Sequence, residues 1–98
     1  MWILRSSETD GALTFRLPLG AVKTIGRALH ADFIVDAAFV SRLHCRVTAR
    51  EESLEVEDLS STNGTFVNDA RTRNGHLTIG DRLRVGRVEL TVERQQQS

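Results

Sequence analysis

The chain has 98 residues, 40% apolar and 27% charged, and its 13 Lys and Arg balance 13 Asp and Glu to a formal net charge of zero. This composition suits one globular domain and is too apolar and too neutral for a disordered tail. Zero net charge also lacks the positive surplus that nonspecific nucleic-acid binding or a polybasic membrane patch needs. The single cysteine, Cys45, excludes an internal disulfide. No apolar run approaches the roughly 20 residues of a membrane-spanning helix. The start, Met1-Trp2-Ile3-Leu4-Arg5, lacks the basic opening and long apolar stretch of a signal peptide, so the expected location is cytoplasmic.

In chain order, the dominant pattern is alternation with period two. Leu13, Phe15 and Leu17 alternate with Thr14 and Arg16, and a further strand finishes at Ile25-Gly26-Arg27. From His44 to Arg50, Cys45, Val47 and Ala49 alternate with His44, Arg46, Thr48 and Arg50, which makes Cys45 a buried, inert thiol. Leu54 and Val56 alternate with Glu55 and Glu57, Leu83 and Val85 with Arg82 and Arg84, and Val88, Leu90 and Val92 with Glu89, Thr91 and Glu93. Each is a half-buried strand with one wet face. Turn signals separate them at Asp10-Gly11, Pro18 through Gly20, Glu51 through Ser53, Asn63-Gly64, Asn74-Gly75, Gly80-Asp81 and Gly86. About ten short strands with no sustained helical period and no fixed repeat predict an all-β sandwich or barrel. One domain is expected over residues 1–93, with the polar residues 94–98 as a fraying tail or the start of a linker.

Three segments place polar groups where strands end: Ile25-Gly26-Arg27, Val40-Ser41-Arg42-Leu43-His44, and Asp58-Leu59-Ser60-Ser61-Thr62-Asn63-Gly64-Thr65-Phe66-Val67-Asn68. They supply two guanidinium groups, several hydroxyls, an amide and loop N–H groups. Gathered at one end of a sandwich, these groups suit a phosphoryl group, because arginine grips it through a bidentate fork and hydroxyls complete its acceptor shell. Singly, each segment also reads as an ordinary turn.

In order and spacing, Gly26-Arg27, Ser41-Arg42-Leu43-His44 and the Asp58–Asn68 segment resemble the signature of forkhead-associated domains, and the resemblance covers essentially the whole chain. It implies an eleven-strand, antiparallel-type β-sandwich with binding loops at one end. It also implies a phosphothreonine-dependent interaction module that binds phosphorylated segments of partner proteins in Ser/Thr kinase signalling. By the same resemblance, Arg27 and Ser41 bond the phosphate, Arg42 touches it through backbone or side chain, and Thr62 adds a hydroxyl. Asn63 bonds the peptide main chain, while Gly26, His44 and Gly64 are architectural. Phe39 falls in the loop that in this family helps select the residue three beyond the phosphothreonine. It is expected either to favour an apolar residue there or to pack inward with Ala37, Ala38 and Val40. Arg71 and Arg73, flanking Thr72, either extend a basic rim or are solvated turn arginines.

Other readings are weaker. Ser41 and His44 lack an identifiable third group to orient a nucleophile–base pair, and His30 and His76 stand isolated, so no enzyme and no cofactor are expected. Asp58-x-Ser60-x-Thr62 resembles a calcium loop only faintly: its glycine is one position late and its twelfth residue is Asp69 rather than glutamate, so no metal is expected. A nucleic-acid-binding barrel needs exposed aromatics and a basic groove, whereas most of the five aromatics, Trp2, Phe15, Phe33, Phe39 and Phe66, fall at core-like positions. The alternative that remains is an assembly module that uses a sheet face or edge without regard to phosphorylation.

Overall fold

The computed structural model describes residues 1–6 and 12–95, so the expected turn at Asp10-Gly11 and residues 96–98 lie outside it. The described residues form eleven strands: β1 (Trp2–Ser6), β2 (Thr14–Leu17), β3 (Val22–Gly26), β4 (Phe33–Ile34), β5 (Cys45–Ala49), β6 (Leu54–Asp58), β7 (Thr65–Val67), β8 (Ala70–Thr72), β9 (Asn74–Leu77), β10 (Arg82–Val85) and β11 (Val88–Arg94). Among the described residues there is no helix. The strands make two sheets, one in the order β2-β1-β11-β10-β7-β8 and one in the order β4-β3-β5-β6-β9. Every pairing is antiparallel except β3 with β4, which is parallel.

The period-two alternation explains the sandwich. Cys45, Val47 and Ala49 on β5, Leu54 and Val56 on β6, and Leu77 on β9 project from one sheet. They meet Leu4, Leu17, Leu83, Val85, Leu90 and Val92 from the other in a single apolar cluster. Trp2 closes that core and donates its indole N–H to the Arg50 carbonyl at 2.8 Å, so its polar atom is satisfied where the strand ends. The wet faces carry the charges: Arg46 pairs with Glu57, Arg50 with Glu55, Arg5 with Glu93, and Arg82 with Asp69 and Glu89.

The structure departs from the sequence expectations at several points and adds a hairpin that they did not include. Asn74-Gly75 is not a turn but the start of β9, because both residues pair with β6, Asn74 opposite Glu57 and Gly75 opposite Val56. The chain reverses one residue earlier, at Arg73, which leaves Arg71 inside strand β8 rather than in a turn. A hairpin without a glycine signal joins β7 to β8. Asn68 and Asp69 both take positive φ, at 48° and 69°, the double left-handed turn that matches the twist of a two-residue hairpin. Finally, β11 runs on through Arg94, which pairs with Trp2 and lays its guanidinium 4.4 Å from that ring, and Gln95 exchanges backbone bonds with Met1.

Leu83 is fully buried and lies between Val67 of β7 and Leu90 of β11 in the sheet register. Leu83→Ala should destabilise the fold by about 2–5 kcal/mol, the range for emptying a packed core position. In urea titrations the midpoint should fall with the slope unchanged.

Candidate functional site

The topology brings the three motif segments to one end. Strands β3, β6 and β10 run into that end and β5, β7 and β11 leave it, so the β3–β4, β4–β5, β6–β7 and β10–β11 connections gather there. Arg27, Ser41, Thr62, Asn63 and Phe39 line one cavity of about 520 Å³, together with Asp36, Ala37, Ala38 and Val40.

His44 ties these loops together. Its ring is completely buried; Nδ1 accepts the Ser41 backbone N–H at 3.1 Å and Nε2 faces the Gly64 carbonyl at 2.8 Å. Because Nδ1 is an acceptor, Nε2 carries the proton and donates to Gly64, which fixes a neutral ring in one tautomer. The imidazole addresses the Ser41 backbone rather than its hydroxyl, so the pair is not arranged as nucleophile and base. The Ser41 Oγ instead accepts the Thr62 N–H at 3.1 Å, which leaves its own hydrogen free to donate.

Backbone bonds fix the arginine. Arg27 N–H donates to the Ser41 carbonyl and Ala28 N–H to the Arg42 carbonyl, both at 3.0 Å. Gly26 makes that approach possible: a Cβ there would stand 2.0 Å from the Arg42 carbonyl oxygen, a distance no side chain tolerates. The Arg27 Nε donates to the Val40 carbonyl at 3.1 Å, and its two terminal nitrogens have no partner among the described residues. The base of the Arg27 loop is knotted by Asp32, whose carboxylate accepts both the N–H and the hydroxyl of Thr24. Those bonds, helped by nearby Lys23, hold the Asp32 carboxyl below its ordinary range against a smaller effect of burial.

Asp58 knots the β6–β7 loop. It accepts the Ser61 N–H, the Ser61 hydroxyl and the Thr65 hydroxyl, and Ser61 Oγ in turn accepts the Gly64 N–H at 3.0 Å. Burial pushes the Asp58 carboxyl up, but the hydrogen bonds from Ser61 and Thr65 outweigh it and hold the group below the ordinary carboxylate range.

Two motif residues take less expected positions. Phe39 does not pack inward; half of it is exposed, in a left-handed conformation at φ 70°, while its neighbour Val40 is buried. Its carbonyl accepts the Asn63 side-chain amide at 3.0 Å, and the Arg87 guanidinium of the β10–β11 turn lies 4.6 Å from its ring. Arg42 is exposed and is not among the residues lining the cavity. Motif reading gave Thr65 no role of its own and missed Asp32, Asp36 and Arg87 altogether. Only Asp58-x-x-Ser61 carried a local signal, the spacing at which an aspartate accepts from the backbone three residues on.

Comparison with known proteins agrees with this architecture. The sequence model described as "FHA domain" matches residues 23–86. The chain is 40% identical over 80 residues to the ABC transporter ATP-binding/permease protein Rv1747 of Mycobacterium tuberculosis, covering 82% of this chain and 9% of that protein. It is 34% identical over 85 residues to the FHA domain-containing protein FhaB of the same organism, covering 84% of this chain and 55% of that one. The chain thus spans about half or less of the length of these relatives. A structure solved in work on phosphothreonine-dependent FHA domain interactions superposes with a TM-score of 0.87 at 32% identity over 98% of both chains.

The Asp58 hydrogen bonds generate an acid-stability prediction. A carboxyl whose folded pKa is depressed contributes stability that is present above its unfolded value of about 3.9 and is lost as pH falls through the folded value. Asp58→Asn should therefore be less stable than the parent at neutral pH, with the gap narrowing below about pH 4. Urea unfolding across pH 2–7 reads the two curves; a gap independent of pH would refute the assignment. With Gly26, Arg27, the Ser41–His44 segment and the Asp58–Asn68 loop assembled on an eleven-strand sandwich, and with the matches above, the chain belongs to the forkhead-associated domain family.

Proposed function

We propose that the chain binds phosphothreonine-containing segments of partner proteins, as an interaction module rather than an enzyme, in Ser/Thr kinase signalling on the cytoplasmic side, where ATP-dependent kinases act. The observation that carries this reading is the convergence of unspent donors on one cavity: the two free terminal nitrogens of Arg27, the Ser41 hydroxyl and the Thr62 hydroxyl. A phosphothreonine brings about −1.5 to −2 charges and three acceptor oxygens, and such donors match it. Arg27 forks two phosphoryl oxygens, Ser41 donates to a third, and Thr62 completes the shell. One N–H of the Asn63 amide donates to the Phe39 carbonyl, so its oxygen and its second N–H remain for the peptide main chain. Arg42 adds positive potential at the rim.

The distribution of charge supports the reading further. Arg5, Arg46, Arg50, Arg82 and Arg84 are ion-paired on the sheet faces, whereas Arg27, Arg42, Arg71, Arg73 and Arg87, in the loops and strands at the binding end, have no carboxylate partner among the described residues. Five cations of a chain with net charge zero thus stand unpaired at that end, beside the carboxylates of Asp32, Asp36 and Asp58.

Titration of one peptide in phosphorylated and unphosphorylated forms tests the proposal. The phosphorylated form should bind at least tenfold more tightly, and Arg27→Ala should remove that advantage, since each bond to a charged group is worth about 1.5–3 kcal/mol. Equal affinity for both forms would instead support the phosphorylation-independent assembly module.

Phe39 is the selectivity residue in this reading. Its exposed ring and the Asp36 carboxylate share the cavity wall, and Arg87 is engaged on the ring face. An oriented phosphothreonine library should show apolar enrichment three residues beyond the phosphothreonine and no gain for Asp or Glu; strong acidic selection there would sink the assignment.

A further inference from the structure

The loop that carries Thr62 and Asn63 is also the wall of a second cavity. Ser60 and Ser61 line that cavity, of about 760 Å³, and Arg71, Thr72 and Arg73 close it from the β8–β9 side. Glu57 and Asp58 lie there too: Glu57 pairs through one carboxylate oxygen with Arg46, and both Asp58 oxygens accept from Ser61 and Thr65. Thr72 donates its hydroxyl to the Asn74 carbonyl at 2.6 Å. Both arginines and the Ser60 hydroxyl are left without a partner among the described residues.

Arg71 is held in place by the fold. It sits opposite Phe66 in the β7–β8 hairpin, and a Cβ built on Gly64 would fall 2.6 Å from its Nε. The guanidinium therefore lies directly against the motif loop, at a position open only because residue 64 lacks a side chain and turns at φ 89°. Two cavities lined by unspent donors thus adjoin consecutive residues of one loop, Thr62 and Asn63 at the first and Ser60 and Ser61 at the second.

We infer that the second cavity takes a further anionic side chain, a phosphoryl group or a carboxylate, of the same peptide whose phosphothreonine occupies the first. Arg71 and Arg73 grip it and the Ser60 hydroxyl adds a donor. The inference rests on the phosphothreonine reading above and extends it to multiply phosphorylated or acidic-flanked segments. A phosphoryl group gains more than a carboxylate, because it offers more charge and a third acceptor oxygen to two forked donors.

The test is calorimetric titration of a phosphothreonine peptide in which each flanking position in turn carries serine, phosphoserine or glutamate. The quantity read is the affinity ratio of anionic to serine peptide, in the parent and in the Arg71→Gln/Arg73→Gln variant. At one spacing the parent should prefer phosphoserine by about fivefold or more at low salt, the preference shrinking as salt screens these exposed charges. The variant should bring the ratio to about one, and Arg73→Gln alone, which leaves the Gly64 contact intact, should lower it. A gain with phosphoserine alone identifies a phosphoryl site, and a comparable gain with glutamate a carboxylate site. A ratio near one at every spacing in the parent, or one that survives the double variant, overturns the inference and leaves the phosphothreonine reading standing. If the singly phosphorylated peptide binds no better than its unphosphorylated form, both readings fall.

Discussion

The binding end depends on one buried imidazole. His44 accepts from the backbone of the β4–β5 loop and donates to the backbone of the β6–β7 loop. Neither bond involves a side chain that touches the cavity, so the residue that sets the geometry is separate from the residues that use it. A buried ring with both nitrogens satisfied is a stringent constraint: moving either loop would strand a polar atom in the core, at a cost of about 1–3 kcal/mol. Asp58 and Asp32 repeat this logic at the feet of the loops, each spending a carboxylate on local N–H and hydroxyl groups. Such carboxylates are sheltered from competing for the arginines above them.

Under the proposed function, that separation of duties is how a neutral chain would distinguish a phosphoryl group from polyanions in general. Sheet-face cations are neutralised locally by carboxylates on adjacent strands, as Arg46 is by Glu57 across the β5–β6 register. Exposed pairs of this kind add little stability. Their main effect is to take those sheet-face cations out of reach of an incoming anion. A long polyanion meets too few unpaired cations in line, whereas a single compact dianion meets several at once.

Much of this was legible in the residues themselves. Alternation located β2, β5, β6, β10 and β11, because a half-buried strand must write its two faces into every second position. Gly26-Arg27, Ser41 through His44 and the Asp58–Asn68 segment were legible as a set through their order. Features that depend on distance through space were not. Asn74-Gly75 has the composition of a turn, yet the partner strand β6 claims it for the sheet, a tertiary override of local preference. The left-handed backbone at Phe39 and Ser60 has no local signal in residues that usually avoid it. Arg87 over Phe39 joins loops of the two different sheets, and Arg71 against Gly64 joins the two arms of the β7–β8 hairpin, so neither contact exists until the chain folds.

The contact between Gly26 and the Arg42 carbonyl has a kinetic consequence. Two backbones in direct apposition cannot be squeezed closer, and their hydrogen bonds oppose separation, so the arginine's attachment point is a fixed one. Under the proposed function, a loop held this way at its root loses little entropy there on capture. Such a surface lets its ligand arrive at the pace of encounter and leave when a few polar bonds break together. For a transient mark, that would let occupancy follow the rise and removal of the modification.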